Sequence, residues 1–394
     1  MATADPLVHR MHGFGTTIFA EMSALALRTG SINLGQGFPD TDGPSEVLEA
    51  AVDAIRSGAH NQYPPGPGIP QLRQAIAAHQ DHWYGLRFDP DSEVLVTAGA
   101  TEAIAAAIMA LAEAGDEVIV FEPYYDSYAA CIALAGAVRR VVTLRREGNR
   151  WTFDRDELRR AVSPRTRLLL LNTPHNPTGK VFDAEELQAI ADLALEHDLL
   201  VLTDEVYEHL VFDGQHQPLA GWPGLRERTI TVGSAGKTFA VTGWKIGWVT
   251  AAEPLVTAVR TVKQFLTFVN GAPFQPAIAL GLALPDAHFH AAAAALRDRR
   301  DQLCSGLAAA GFDVIVPQAT YFATADVGTD GVAFCRSLPQ TAGVVAIPSR
   351  VFYDSAAGDN LIRFAFCKRP EVIGAAVDRL SAAFRAGAIR SRTG

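Results

Sequence analysis

Between Ser45 and Thr250, short β-branched runs alternate with longer Ala- and Leu-rich segments, and no other feature restricts the possible folds of this chain as strongly. Strands that read as nearly continuous apolar runs need cover on both faces, which fits an α/β unit with a mainly parallel sheet between two helical layers. The expected strands are Val94–Thr97, Glu117–Phe121, Val141–Leu144, Leu168–Asn172, Leu199–Asp204, Thr229–Val232 and Ile246–Thr250, seven in all. Helix-period stretches, among them Thr101–Glu113 and Ala184–His197, lie between several of them. After Phe274 the pattern changes to long helices over His290–Ala310 and Glu371–Ala386, with strands at Tyr321–Val327 and Leu361–Phe366, which predicts a smaller α+β unit. Met1–Pro44 has weak periodicity and a Gly-rich segment, so it is expected to be an arm that packs against the rest or against a partner subunit. The expected division is an arm and part of the small unit over residues 1–45, a large unit over 46–284 and a small unit over 285–394.

Composition removes several function classes. The chain has 394 residues, 48% of them hydrophobic and 20% charged, enough for a large buried core. Its net charge of −9 opposes non-specific binding to nucleic acid, which needs a basic surface. Cys131, Cys304, Cys335 and Cys367 include no close pair, so neither a disulfide framework nor a zinc site is expected, and they read as reduced thiols. The N-terminal residues lack a basic segment followed by an apolar one, and the most apolar helical stretch, Ile104–Ala112, is too short to span a bilayer. The expectation is a cytoplasmic protein with no membrane and no nucleic-acid partner.

Four segments at expected strand ends carry chemistry. In Gly233-Ser234-Ala235-Gly236-Lys237-Thr238-Phe239 a lysine follows a strand, among neighbours too small to bury its amine. Such a lysine joins a carbonyl only when part of it is neutral, which needs partial desolvation or a neighbouring cation; Lys245 is a candidate for that cation, although a phosphate is its expected ligand. Alone, a lysine in a Gly/Ser loop reads as a solvated surface residue. In Val201-Leu202-Thr203-Asp204-Glu205-Val206-Tyr207 an acid ends an apolar strand. There it needs a cation such as a pyridinium nitrogen, or else it caps a helix. In Asn172-Thr173-Pro174-His175-Asn176-Pro177-Thr178-Gly179-Lys180 two prolines stiffen a loop that can hold the Asn176 amide in one place, although a plain tight turn uses the same residues. In Thr97-Ala98-Gly99-Ala100-Thr101-Glu102-Ala103 a helix start offers free N–H groups to an anion, with Ser234 and Lys245 beside it. Tyr125 offers an aromatic face, and Arg363 sits inside the apolar strand Leu361-Ile362-Arg363-Phe364-Ala365-Phe366, where burial asks for an anionic partner such as a carboxylate. Together these are the groups that pyridoxal 5′-phosphate (PLP) and an amino acid require.

With these segments in place, the whole chain resembles a class I aminotransferase of the PLP fold-type-I superfamily. Ile32-Asn33-Leu34-Gly35-Gln36-Gly37-Phe38-Pro39-Asp40, Asn61-Gln62-Tyr63 and Ser234–Phe239 resemble the kynurenine, glutamine and methionine aminotransferase branch. Gly271-Ala272-Pro273-Phe274-Gln275-Pro276 resembles an actinobacterial group of N-succinyldiaminopimelate aminotransferases. The resemblance implies that Lys237 holds PLP covalently and shuttles the proton, that Asp204 pairs with the ring nitrogen, and that Asn176 and Tyr207 bind the phenolic oxygen. It implies Tyr125 stacked on the ring, and the phosphate held by Gly99, Ala100, Thr101, Ser234, Lys245 and Tyr63 of a neighbouring subunit. Arg363 and Asn176 then grip the substrate carboxylate, Gly37 closes over it and Phe19 lies beside its side chain. The implied enzyme is a homodimer with shared sites that moves an α-amino group between an L-amino acid and a 2-oxo acid by a ping-pong route. Asn270 and Gly271 stand where the kynurenine enzymes carry an aromatic residue and a histidine, which predicts a roomier side-chain pocket. A PLP-dependent carbon–sulfur β-lyase would use the same cofactor residues and is the alternative.

Overall fold

In the computed structural model, which describes residues 6–15 and 17–389, the seven expected strands form one sheet. They are β1 (Val94–Thr97), β2 (Glu117–Glu122), β3 (Val138–Thr143), β4 (Thr166–Asn172), β5 (Leu200–Asp204), β6 (Thr229–Ser234) and β7 (Gly247–Thr250), and their spatial order is β1-β7-β6-β5-β4-β2-β3. β7 runs antiparallel to both neighbours, and the other pairings are parallel. The central strands are buried along almost their whole length, Leu168–Leu171 and Val201–Thr203 among them. Burial on both faces is why they read as unbroken apolar runs rather than alternating ones.

A second sheet is built from β8 (Asp313–Ile315), β9 (Phe322–Asp326), β10 (Ile347–Pro348) and β11 (Leu361–Ala365), in the order β8-β9-β11-β10 and antiparallel throughout. Two long helices, Asp286–Ala309 and Pro370–Arg385, pack against each other beside it. Both begin earlier than their apolar periodicity suggests, because prolines at 285 and 370 set the entry of each helix. Arg363 lies on β11, an interior strand, where its side chain is buried.

The N-terminal segment packs against the rest of the chain and contains a helix that its weak periodicity does not announce. Ile18–Thr29 is a helix whose first turn is capped by Thr17, which accepts the Ala20 N–H at 3.3 Å, and which ends on Gly30 at φ +63°. Only Met22 and Ala26 of this helix are fully buried, so its apolar stripe is too narrow to announce itself by periodicity. Ile32–Asn33 then pairs in parallel with Val344–Val345, and Arg336 clasps Glu21 at 2.8 Å, which ties the segment to the small sheet's surroundings. The outermost parts of the expected arm and small unit, residues 1–5, 16 and 390–394, lie outside the described residues. No described helix is long and apolar enough to cross a membrane.

Gly233 of β6 faces Trp248 of β7 across the antiparallel pair, and a Cβ there would come within 2.3 Å of the buried indole. Gly233→Ala should therefore cost about 2 kcal/mol through overpacking, read as a lower denaturant midpoint. An unchanged midpoint would show that the Trp248 side chain can move aside.

Candidate active site

The C-terminal ends of β1, β4, β5 and β6 and residues arriving from the small sheet and the N-terminal segment enclose a cavity of about 440 Å³. Ligands collect at this edge because successive loops diverge there and leave a crevice. Every residue expected to hold the cofactor or the substrate carboxylate lines the cavity except Tyr63, which is 82% exposed and packs edge-on against Phe268 at 5.5 Å.

One end of the cavity is shaped for an anion. The helix Gly99–Leu111 starts there, so its first N–H groups have no intrahelical partner. Gly99 takes a left-handed φ of +75°, and a Cβ on it would sit 3.0 Å from Lys245 Nζ. A Cβ on Gly247 would lie 2.8 Å from the Ala100 nitrogen, so both positions need glycine to leave the cradle open. No carboxylate among the described residues pairs with the Lys245 ammonium. Asn270 Nδ2 donates to the Lys245 carbonyl at 3.1 Å and the Thr97 carbonyl at 3.0 Å, which helps hold the turn that aims Lys245, while its Oδ1 has no partner. Neither Asn270 nor Gly271 lines the cavity of this chain.

The opposite end is acidic. Asp204 closes β5, 5% exposed, and its Oδ2 accepts from the Tyr128 hydroxyl while Oδ1 accepts the Val206 N–H at 3.4 Å. Burial pushes its carboxyl up to about 6 even though both hydrogen bonds pull it down. Turns rather than a helix follow it, so the helix-capping reading fails. Asn172, its partner in the β4–β5 register, donates to the Asp204 carbonyl at 2.8 Å and to the Pro174 carbonyl at 3.2 Å, and accepts the Asn176 N–H at 2.7 Å. One buried amide thus fixes the start of the proline loop against the strand that carries Asp204.

Between the two ends stands Lys237, and its amine has the partial desolvation that a carbonyl-binding lysine needs. The small neighbours in the chain do not bury it, but side chains distant in sequence do. Nζ donates to the Tyr321 hydroxyl at 2.8 Å and lies 5.8 Å from the Tyr207 ring centre. Desolvation is the largest influence on it and brings its pKa down to about 8; the Arg363 and Lys245 charges act in the same direction, while Asp204 opposes them. Lys245 therefore contributes as expected, as a smaller effect.

Arg363 is 2% exposed. It donates to Asn176 Oδ1 at 3.0 Å and to the Gly35 carbonyl at 3.1 Å, and its Nε has no partner. Its guanidinium lies 3.9 Å from the Phe322 ring centre and 5.3 Å from that of Phe19. Burial draws it down to about 10, which still leaves it charged at neutral pH. A buried guanidinium with only neutral acceptors is costly unless an anion joins it. Sequence reasoning missed Tyr128, Asn172 and Tyr321, which hold Asp204, Asn176 and Lys237. Their only signals are a tyrosine in an Ala-rich helix, an asparagine ending an apolar strand and a tyrosine preceding one.

His79, Glu208 and His209 cluster away from this cavity. His79 Nε2 and His209 Nε2 are 2.7 Å apart, a hydrogen-bond distance, whereas two ligands on one tetrahedral zinc stand about 3.3 Å apart. The arrangement is a buried histidine pair.

The cavity as a whole suits PLP: an open N–H cradle with an unpaired ammonium for a phosphate, an inward carboxylate for a pyridinium nitrogen, and an amine of lowered pKa for an aldehyde. The family model for aminotransferase class I and II matches residues 29–380. The probable N-succinyldiaminopimelate aminotransferase of Mycobacterium tuberculosis is 53% identical over 95% of this chain and 98% of its own length. The methionine aminotransferase of Escherichia coli is 42% identical over 96% of this chain and 99% of its own. A solved structure of N-succinyldiaminopimelate aminotransferase from Mycobacterium tuberculosis superposes with a TM-score of 0.93 at 54% identity, covering 96% of this chain and all of that one.

A carboxyl whose pKa is raised to about 6 is charged only above that pH, so capture of PLP by the apoprotein should fail as pH falls through about 6. Tyr128→Phe removes a hydrogen bond to the charged form. It should move that limb to higher pH and weaken PLP binding about tenfold at pH 7, measured by fluorescence titration. An unmoved limb would mean that Tyr128 does not support the carboxylate.

Proposed function

The chain belongs to the class I and II aminotransferase family, and within that family we propose that it transaminates N-succinyl-L,L-diaminopimelate or a similar acylated diamino acid against a 2-oxo acid, with Lys237 carrying the cofactor. The protein is an aminotransferase whose cofactor is PLP. The observation that carries the site assignment is Arg363, buried and charged with no carboxylate in ion-pair contact, Asp126 acting on it only at longer range. It faces the cavity next to Asn176, where an amino acid's carboxylate would complete its hydrogen bonds. The substrate proposal is supported by identity of 53% over 95% of the chain to the relative of that name.

Bound PLP supplies an electron sink for the pair left when the substrate loses its α-proton. The rest of the chemistry falls to side chains. Asp204, backed by Tyr128, would hold negative charge against the ring nitrogen. Tyr207 and Asn176 would donate toward the phenolic oxygen, and Tyr125 would cover one face of the ring. The helix start at Gly99, Ala100 and Thr101, together with Ser234 and Lys245, would take the phosphate. Lys237 Nζ would take the α-proton as a general base and give it back as a general acid on the far side of the nitrogen being transferred. Gly37 and Phe19 close over the substrate and exclude water. One cavity serves both half-reactions, so steady-state kinetics is ping-pong.

The assembly we propose is a homodimer in which Tyr63 reaches the phosphate of the other subunit. Its support is the exposed apolar group Tyr63, Phe265, Leu266 and Phe268, at 82%, 83%, 46% and 51%, a surface of the kind that interfaces cover. The proposed division remains a large unit over 46–284 and a small one over 285–394 joined by residues of 1–45. A cytoplasmic location agrees with four buried, unpaired cysteines.

In single turnovers followed by loss of the visible cofactor absorbance, N-succinyl-L,L-diaminopimelate should react faster than glutamate, glutamine, methionine or aromatic amino acids. A tenfold preference for any of those would contradict the substrate proposal. Pyruvate release from a cysteine conjugate without an oxo acid would mark the lyase. Arg363→Ala should raise the apparent amino-acid dissociation constant about a hundredfold, and Lys237→Ala should lower turnover by about 10³-fold or more. Unchanged values would remove either residue from its place.

A further inference from the structure

Tyr321 stands just before β9, in the wall between the cofactor cavity and a second cavity of about 290 Å³ lined by Lys237, Tyr321 and Cys367. It is 1% exposed, and its ring meets Tyr207 edge-on at 5.3 Å. The residue before it, Thr320, takes φ +72°, a left-handed conformation that a β-branched residue adopts only under constraint. Its N–H donates to the Leu210 carbonyl at 2.8 Å, and its hydroxyl accepts the Phe322 N–H at 3.2 Å, so both of its polar ends are engaged in holding this turn. The turn delivers one phenol to one place.

The single proton of this phenol sets the direction of the hydrogen bonds there, and the Tyr207 side chain also interacts with it. The Tyr321 hydroxyl donates to the Gly37 carbonyl at 2.7 Å, and Lys237 Nζ lies 2.8 Å away on the other side of the same oxygen. A phenol has one proton, and with that proton committed to Gly37 it can only accept from the lysine. Were the carbonyl displaced, the phenol would be free to donate to the amine and occupy its lone pair. Gly37 is held in position because a Cβ there would come within 2.5 Å of Phe322 Cζ.

Resting on the reading that Lys237 is the cofactor lysine, we propose that Tyr321 is a positioning residue for the transamination. It accepts an N–H from the released Lys237 amine while the Gly37 carbonyl takes its own proton, so the lysine is kept at the cavity wall with its lone pair unspent. Lys237 is also faced by Asp204 and Tyr207 from the end of β5 and the turn after it, by Arg363 from β11, by Cys367 beyond β11 and by Lys245 ahead of β7. Asp204 favours the charged amine, and Arg363 and Lys245 disfavour it. Tyr321 adds a neutral acceptor that also favours the charged form, and it ties the lysine's state to the Gln36–Phe38 segment lining the cavity.

The test is the pKa of the Lys237 amine in the apoprotein, read from the pH dependence of its acetylation by trace acetic anhydride, with the peptide quantified by mass spectrometry. Tyr321→Phe removes the acceptor, so the pKa should fall by about one pH unit, with hydrogen exchange of the 36–38 segment accelerated. Gly37→Ala leaves the phenol in place but displaces its acceptor, and the amine pKa should fall there too because the phenol then donates to the neutral form. This second variant keeps the question open to an answer if the first does not fold. An amine pKa that stays within 0.2 pH units of wild type, or rises (a margin of about one fifth of the expected effect), would overturn the proposal in whichever variant folds. Stoichiometric PLP capture by wild type but not by Lys237→Ala isolates such a failure to Tyr321. PLP capture equally tight in Lys237→Ala would remove the reading of the lysine, and this proposal with it.

Discussion

A carboxylate at the inner end of a buried strand is the constraint on which the rest of the site depends. Asp204 lies where water cannot solvate it, and the chain surrounds it with partial compensation: a phenol from Tyr128, a backbone N–H from Val206 and the Lys237 charge across the cavity. None of these is a full salt bridge, and the carboxyl pKa is raised accordingly. The same incompleteness recurs at Arg363, whose Nε is unsatisfied, and at Lys245, whose ammonium faces the N–H cradle. Three charges without ion-pair partners face one cavity, and under the proposed assignment a protonated ring, a carboxylate and a phosphate would complete them.

Separate parts of the fold supply these charges. Asp204 and Asn176 come from strand ends of the large sheet, Arg363 from an interior strand of the small one, and Gly37 and Phe19 from the N-terminal segment. The direct link between Arg363 and Asn176 and the relay from Lys237 through Tyr321 to Gly37 hold these parts in register. Rigid loops matter as much as the charged groups: the Asn172 amide anchors the proline loop, and Gly99 and Gly247 keep the anion cradle open.

Much of this was readable from the chain itself, for identifiable reasons. Doubly buried strands print as unbroken apolar runs, so all seven strands of the large sheet could be placed, and polar residues at or just past the ends of such runs brought Asp204, Asn176 and Lys237 forward as candidates. What local sequence could not express was burial created by distant segments. Lys237 has glycine, serine and alanine for neighbours, yet Tyr207 and Tyr321 enclose it. Tyr128 looks like core until Asp204 is placed against it. The Ile18–Thr29 helix buries too little of its surface to set a clear period, and the hold of Asn270 on the Lys245 turn was hidden because its two backbone partners are 173 and 25 residues away.

The central claim is that one amine, Lys237, meets the cofactor's aldehyde in this cavity. It is tested most directly by saturating the purified protein with PLP, reducing with borohydride and mapping the fixed label by mass spectrometry. The account predicts one label per chain, on the peptide containing Lys237. A label on another lysine, or none in a protein that remains colourless with excess PLP, would contradict it.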